Sequence, residues 1–385
     1  METLLIDIKS RILELAPEFL QFPLGHMLSI VPVISIFASI FALTTWVERK
    51  GLGRIQNRPG PNRVGPVGIL QPMADGLKMI FKEDIVPRSA DKVVHFLAPI
   101  LLVIPTMLAL SVIPYGEQLV PIDLDAGILF FFAIGGAAEL IVFMAGWSSR
   151  NKYAMLGAMR AIAQMISYEV PLILSSIVVI MMAGSLSLVD IVASQSGAFW
   201  NWHVATPWGF AGFLIFLTAA LAESNRSPFD IPEAESEIIA GHMTEYSGFK
   251  YALFFLAEYL GLFAMTGLAI TLFLGGFHAP LPFLLDFVPA PFWFFGKFAF
   301  LIALFIWIRG TLPRLRMDQL MGFAWKFLLP MTLITFAAGA TWHYAGHGIL
   351  GWILCTPMVA VPYVVLGRAL TKNQNIKKRV YRFAD

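Results

Sequence analysis

Four glutamates stand where an acid is costly. Glu139, Glu169, Glu223 and Glu258 each lie within, or at the end of, a long apolar stretch. A charged side chain at the centre of a bilayer costs ~2.5–3.5 kcal/mol or more, so functional use is the ordinary expectation for such residues. The plainer alternative is a neutral carboxyl hydrogen-bonded between packed helices. Several carboxyl groups in series would instead make a proton relay. Their surroundings suit inward placement. Gly135 and Gly136 lie one turn before Glu139, which lets a neighbouring backbone come close. Arg160, Gln164 and Tyr168 form a polar stripe at i, i+4 and i+8, with Glu169 out of phase with Arg160, so those two are not expected to pair. Tyr251 and Glu258 share a helical face.

A second group is acidic and lies outside the apolar runs, in ESNRSPFDIPEAESE, residues 223–237. Asp230 and Glu233 have capping-box spacing, with Pro232 suited to the first helical turn. Glu235 and Glu237 are left over. Acids at every second position cannot share one helix face, so the segment is either an acidic funnel or a solvated helix start. A third group is basic: ERKGLGRIQNRPGPNRVGP, residues 48–66. Arg49 and Lys50 read as interfacial anchors at a helix end. Beyond them, Gly53, Gly60, Gly65 and Gly68 interleave with Pro59, Pro61 and Pro66, a composition for a fixed irregular path. Arg54, Gln56, Arg58, Asn62 and Arg63 are long hydrogen-bonding side chains on that path, which can wall a cavity or grip another subunit. The next segment puts Ile69, Met73, Leu77, Ile80 and Phe81 on one face, with Gln71, Asp75, Lys78 and Lys82 elsewhere. That predicts an amphipathic helix too polar to span, lying on the bilayer beside an entrance for a lipophilic ligand.

The elements that position these residues follow from composition. Of 385 residues 58% are hydrophobic and 14% charged, with a net charge of +2. A single water-soluble globule carries about 25% charge, disorder needs low hydrophobicity, and a nucleic-acid binder shows an unbalanced basic face. A polytopic membrane protein remains. A helical span takes roughly 20 apolar residues, and nine segments qualify or nearly do: 24–47, 93–113, 127–147, 154–184, 209–223, 250–276, 291–311, 323–343 and 349–367. The fourth is long enough to tilt or project, and the fifth is short. Residues 1–22 lack the basic start of a signal peptide and predict an interfacial helix. Lys and Arg then test the count. The connections 48–92, 148–153, 224–250 and 309–322 and the tail 368–385 hold nine, two, two, three and six, and the four connections between them hold none. Strict alternation is the positive-inside pattern. It places the N-terminus outside and the C-terminus in the cytoplasm. No internal repeat supports an inverted-repeat transporter. The expectation is an all-α, polytopic integral membrane protein with about nine transmembrane helices plus surface amphipathic helices, forming one domain over 1–385. Cys355 is the single cysteine, so the chain cannot form an internal disulfide or hold an iron–sulfur cluster that needs about four thiolates. His343 and His347, at i, i+4, read as surface residues rather than a metal site.

With these motifs assembled, the chain resembles the family of H subunits of proton-pumping NADH:quinone oxidoreductase, respiratory complex I. The resemblance rests on ERKGLGRIQNRPGPNRVGPVGILQPMADGLKMIFKE (48–83), AESNRSPFDIPEAESE (222–237), RGTLPRLRMDQLMGFAWKFLLP (309–330) and the glutamates of the spans between, and runs from about 24 to 343. It implies that Arg54, Arg58, Arg63 and Gln56, with the surface helix around Asp75, wall a quinone chamber in 48–92. It implies that Glu233, Glu235 and Glu237, in the cytoplasmic loop 224–250, lie between chamber and membrane. Glu139, Glu169, Glu223 and Glu258, with Tyr251 and Arg160, would form the proton path toward the pump subunits. Quinone would be the substrate, with iron–sulfur clusters and FMN held by partners: peripheral-arm subunits at the quinone site, and pump subunits in the membrane arm. The span and basic tail in 349–385 exceed the eight-span mitochondrial form, implying a bacterial inner membrane. Two competitors are a related subunit of a membrane-bound hydrogenase or formate-linked complex, and a free-standing cation transporter.

Overall fold

The computed structural model describes residues 17–232, 238–281, 283, 288–346 and 348–373, and all regular structure among them is helical. The expected interfacial helix at 1–22 lies almost wholly outside the described residues, as do Glu233, Glu235, Glu237 and His347.

The chain opens with α1 (Glu18–Ile55), 38 residues long, which carries the predicted first span straight on into the basic loop. A surface helix, α2 (Gln71–Phe81), follows. Next come α3 (Lys92–Ser111), α4 (Gly127–Ser148), α5 (Lys152–Ala183), a short α6 (Leu188–Ser194) and α7 (Pro207–Glu223). After the acidic loop come α8 (Gly248–Phe273) and α9 (Ala290–Thr311). The last two long helices are a composite and α12 (Ile349–Asn373). In the composite, α10 (Met317–Phe323) passes through a π turn, Ala324–Leu328, into α11 (Leu329–Ala345).

Local sequence explains several starts. Asp91 accepts hydrogen bonds from the amides of Val93 and Val94 at 3.2 and 3.4 Å, Asn151 from Tyr153 at 2.9 Å, and Thr206 from Gly209 at 3.2 Å, ahead of Pro207. Each cap satisfies amides that have no partner inside the helix.

Seven helices among the described residues are long and apolar enough to cross a membrane, which makes the chain an all-α multi-pass membrane protein. They are α3, α4, α5, α8, α9, the composite Met317–Ala345, and α12. The nine-span reading adds α1 and α7. At 1.5 Å per residue the 17 residues of α7 reach roughly 25 Å, a little short of the hydrocarbon core.

Tight packing centres on aromatic rings from α1, α8 and α9 and the turn after α3. Phe263, Phe294, Phe298, Phe37 and Tyr115 are buried together, with ring centroids 5.2–6.4 Å apart along the chain of contacts. The outer faces are apolar because they meet lipid rather than water. α12 is the most exposed of the seven.

Candidate functional site

The basic loop folds back on the end of α1. Gly68 has φ +79°, and a Cβ there would stand 2.1 Å from the carbonyl oxygen of Pro61, so only glycine fits this crossing. Lys50 donates to Asn62 Oδ1 at 2.6 Å. Arg49 pairs with Asp75 at 2.5 Å, and Gln71 donates to the same carboxylate at 3.2 Å, which ties α2 to α1. Arg49 therefore does more than anchor an interface. Arg58 donates to Gln56 at 2.8 Å, and Arg54, Gln56, Arg58 and Arg63 all remain exposed. Met73, Leu77, Ile80 and Phe81 also point outward, Phe81 with 85% of its surface open. The expected amphipathic surface helix is present.

The membrane glutamates converge. Glu139 on α4 and Glu169 on α5 are in side-chain contact, and Glu223 at the end of α7 is near enough for all three charges to act on one another. The glycines before Glu139 do a different job from the one their spacing suggests. Glu169 Oε1 lies 3.7 Å from where a Cβ of Gly136 would stand, and Gly135 lines open space. They face a carboxyl group and a cavity, not a neighbouring backbone.

That cavity, of about 90 Å³, is large enough for several waters. Thr106, Glu223, Ser224, Asn225, His242 and Glu258 supply its polar lining, and the remaining wall comes mostly from apolar residues of α3, α4 and α8, with Met165 of α5. Glu223 and Glu258, 35 positions apart in sequence, thus face one space. Gln164 holds the turn above it, donating to the carbonyls of Ala222 at 2.8 Å and Phe229 at 2.7 Å. Tyr168 donates to the Leu320 carbonyl at 3.0 Å, so these two members of the Arg160 stripe position backbone.

Beside Glu258 lies a charge cluster whose members the glutamate spacing did not single out. Glu48, at the end of the first predicted span, is 4% exposed. Arg226 donates to both its oxygens at 2.9 and 3.1 Å, the Tyr259 hydroxyl donates at 2.7 Å, and Arg309 also pairs with it. The Arg226 guanidinium stacks 4.0 Å from the Tyr259 ring, and its charge also acts on Glu258. The tyrosine bonded into this cluster is Tyr259, while Tyr251 stacks on Phe255 and does not line the cavity. A signal was available: Glu48 is the lone acid of its motif, and Arg226 the lone base in 223–237.

In the acidic loop, Asp230 pairs with Arg314 at 2.9 Å, tying the loop to the connection before α10. Farther along, Lys250 pairs with Asp84 at 2.8 Å, and Ser247 accepts from the Ile85 amide, so the basic and acidic loops touch. Tyr246 stacks on His95 with centroids 4.0 Å apart, and burial pushes its hydroxyl up to about 12. Among the described residues no group of three or more His, Cys, Asp or Glu could hold a metal ion.

Residues 28–340 match the family described as NADH dehydrogenase. The chain belongs to that family. Its relatives are named as H subunits of NADH-quinone oxidoreductase. One from Dehalococcoides mccartyi (strain CBDB1) is 48% identical over 309 residues, covering 80% of this chain and 84% of the relative. One from Koribacter versatilis (strain Ellin345) is 46% identical over 337 residues, covering 81% and 95%. One from Geobacillus kaustophilus (strain HTA426) is 48% identical over 317 residues, covering 82% and 91%. The matched region holds the basic loop, the four glutamates and the Glu48 cluster, and ends before α12.

Proposed function

We propose that the chain is the membrane subunit of an NADH:quinone oxidoreductase that walls part of the quinone chamber and carries the accompanying protonation change into the membrane. One observation carries the reading. Between apolar helices, polar groups run from Arg309, Glu48, Tyr259 and Arg226 to Glu258, across a shared cavity to Glu223, and on to Glu139 and Glu169. The names of its relatives supply the reaction, and favour this reading over a hydrogenase or a free-standing transporter.

Quinone reduction to quinol takes two electrons and two protons. An iron–sulfur cluster in a neighbouring subunit would supply the electrons, with FMN held by other subunits, and this chain supplies surface and protons. The exposed apolar face of α2 offers a bed for an isoprenoid tail, and Arg54, Arg58, Arg63 and Gln56 offer donors along the chamber wall. Glu258 and Glu223 exchange a proton through water in the cavity between them, and Glu139 and Glu169 extend the path toward the pump subunits. Arg226 links this path to the loop. It is held by Glu48 and by the charge on Glu258, so protonating Glu258 removes one of the two acids that hold Arg226.

The organisation follows. Segment 48–92 is the chamber wall and meets peripheral-arm subunits. Segment 224–250, with Glu233, Glu235 and Glu237, is the acidic loop beneath the chamber. Segment 349–385 is an added span with a basic tail. Bases on alternate connections place the C-terminus in the cytoplasm and the N-terminus in the periplasm of a bacterial inner membrane.

The test is Glu258→Gln, and separately Glu169→Gln, in the assembled complex reconstituted in vesicles. Both should lower quinone-linked proton pumping. Undiminished pumping in both would sink the relay.

A further inference from the structure

The end of the bundle opposite the glycine–proline loop holds a charge that the proton path does not use. Lys297 lies on the eighth residue of α9, roughly 10 Å in from the helix start. Its ammonium donates to the carbonyls of Leu274 at 2.6 Å, Gly276 at 2.9 Å and His278 at 2.7 Å. It also stands 4.0 Å over the Trp202 ring. Three acceptors match the three donors of the charged form, and a neutral amine has only two. The carbonyls follow the C-terminus of α8, the negative end of that helix. Buried Gln195 stitches the same end together. It donates to the Thr271 carbonyl at 2.8 Å and accepts from the Gly275 amide at 3.0 Å.

This end is polar rather than greasy. His203 Nε2, His278 Nε2, Trp202 Nε1 and Trp293 Nε1 are buried with no hydrogen-bond partner among the described residues. Ordered waters serve such atoms, so apolar packing alone does not close this end to protons. An ammonium held by three carbonyls does. Glu258 lies 16 residues before Leu274, about 24 Å away along α8. The aromatic cluster of Phe37, Phe263, Phe294 and Phe298 lies between, with no acid among its members.

We infer that Lys297, caged by the carbonyls of Leu274, Gly276 and His278 under Trp202, is an electrostatic seal that stops protons leaving this subunit on its extracytoplasmic side. The inference rests on the coupling reading only for the direction of exit. With the seal in place, a proton taken up at Glu258 must move sideways through Glu223, Glu139 and Glu169. A unit charge ~10 Å from a passing proton, at an effective dielectric near 20, changes its passage on the order of tenfold. Fixed positive charge excludes protons in the same way in water-conducting pores.

The experiment uses the assembled complex in vesicles with a trapped pH dye and an imposed pH gradient, without NADH. Lys297→Met and Lys297→Gln should each raise passive proton entry about tenfold. NADH–quinone turnover with a protonophore present should stay unchanged, and Lys297→Arg should stay tight. Wild-type tightness in both neutral variants overturns the seal. So does leakage in Lys297→Arg, or failure of both neutral variants to assemble, which would make the lysine a folding element alone. Because no turnover is needed, a Glu258→Gln complex that still pumps would sink the relay and leave this result standing.

Discussion

Glu48 offers the sharpest test of how the acidic loop is held. Glu48→Gln keeps the side chain's shape and removes its charge, leaving Arg226 and Arg309 as neighbouring cations without an anion between them. Arg226 is 8% exposed, so its charge is not relieved by water. Removing one partner of a buried pair costs ~3–5 kcal/mol. Arg309 is half-exposed and screened, and adds little. The glutamine carbonyl can still accept from Tyr259, which favours the lower figure, about 3 kcal/mol, or roughly a hundredfold in an equilibrium constant. The affected equilibrium is local opening of residues 221–232. Arg226 bonds back to Leu221, and Phe229 bonds to Arg226, within this segment. Hydrogen exchange on the assembled complex should therefore show protection across 221–232 falling roughly a hundredfold, with α9 little changed. Arg226→Gln alone should cost less, because Glu48 keeps Arg309 and Tyr259. The double variant should lose less protection than the two singles combined, since it leaves no buried arginine without an anion. Protection unchanged in Glu48→Gln, or strict additivity in the cycle, would refute the claim that this pair fixes the loop.

Other outcomes are as definite. Glu258→Gln and Glu169→Gln should each cut pumping by roughly a hundredfold or more, the usual size of a lost proton-transfer group, measured as dye quenching per quinone reduced. Arg58→Ala should weaken quinone binding, read as a raised KM for quinone, and a photoreactive quinone should label residues within 48–82; labelling that never touches this segment refutes the chamber assignment. Gly68→Ala puts a methyl against the Pro61 carbonyl at positive φ, so protease cleavage of 53–68 should rise sharply. Burial lowers His203 to about 4 from 6.5, so the native state disfavours its charged form. Its stabilisation, about 3 kcal/mol, is present above pH 6.5 and lost as pH falls toward 4. Exchange across 195–209 should speed up in that window, and His203→Phe should flatten the response.

Much of the fold was legible because a membrane makes sequence speak plainly. Apolar length and the alternation of Lys and Arg are dictated by the bilayer, so the spans at 93–113, 127–147, 154–184, 250–276, 291–311 and 349–367 match helices α3, α4, α5, α8, α9 and α12 within a few residues. The eighth predicted span hid its structure. Helix begins at Met317, and a π turn at Ala324–Leu328 adds a residue to the turn, which no hydropathy pattern encodes. The surface helix was legible from its apolar stripe, because a 3.6-residue period needs no tertiary information.

The site was half legible, and the divide is physical. A lone acid in an apolar run advertises itself, because nothing but function or a partner offsets its desolvation. Glu48, Arg226 and Arg309 escaped notice because each sits at a predicted membrane boundary, where charges are expected and cheap. What changes their meaning is burial, which is tertiary: α9 and the acidic loop fold over the end of α1 and take Glu48 out of water. Tyr259 differs from Tyr251 in the same way. Spacing put Tyr251 on the face of Glu258, but the turn after α7 brings Arg226 to the ring of Tyr259 at the next position along α8. A boundary charge with an opposite partner at another boundary, 178 positions away, can be read only from the packing that joins them. Sequence therefore locates the acids that lie inside the membrane, whereas the groups that connect them to the loops become visible only once the loops close.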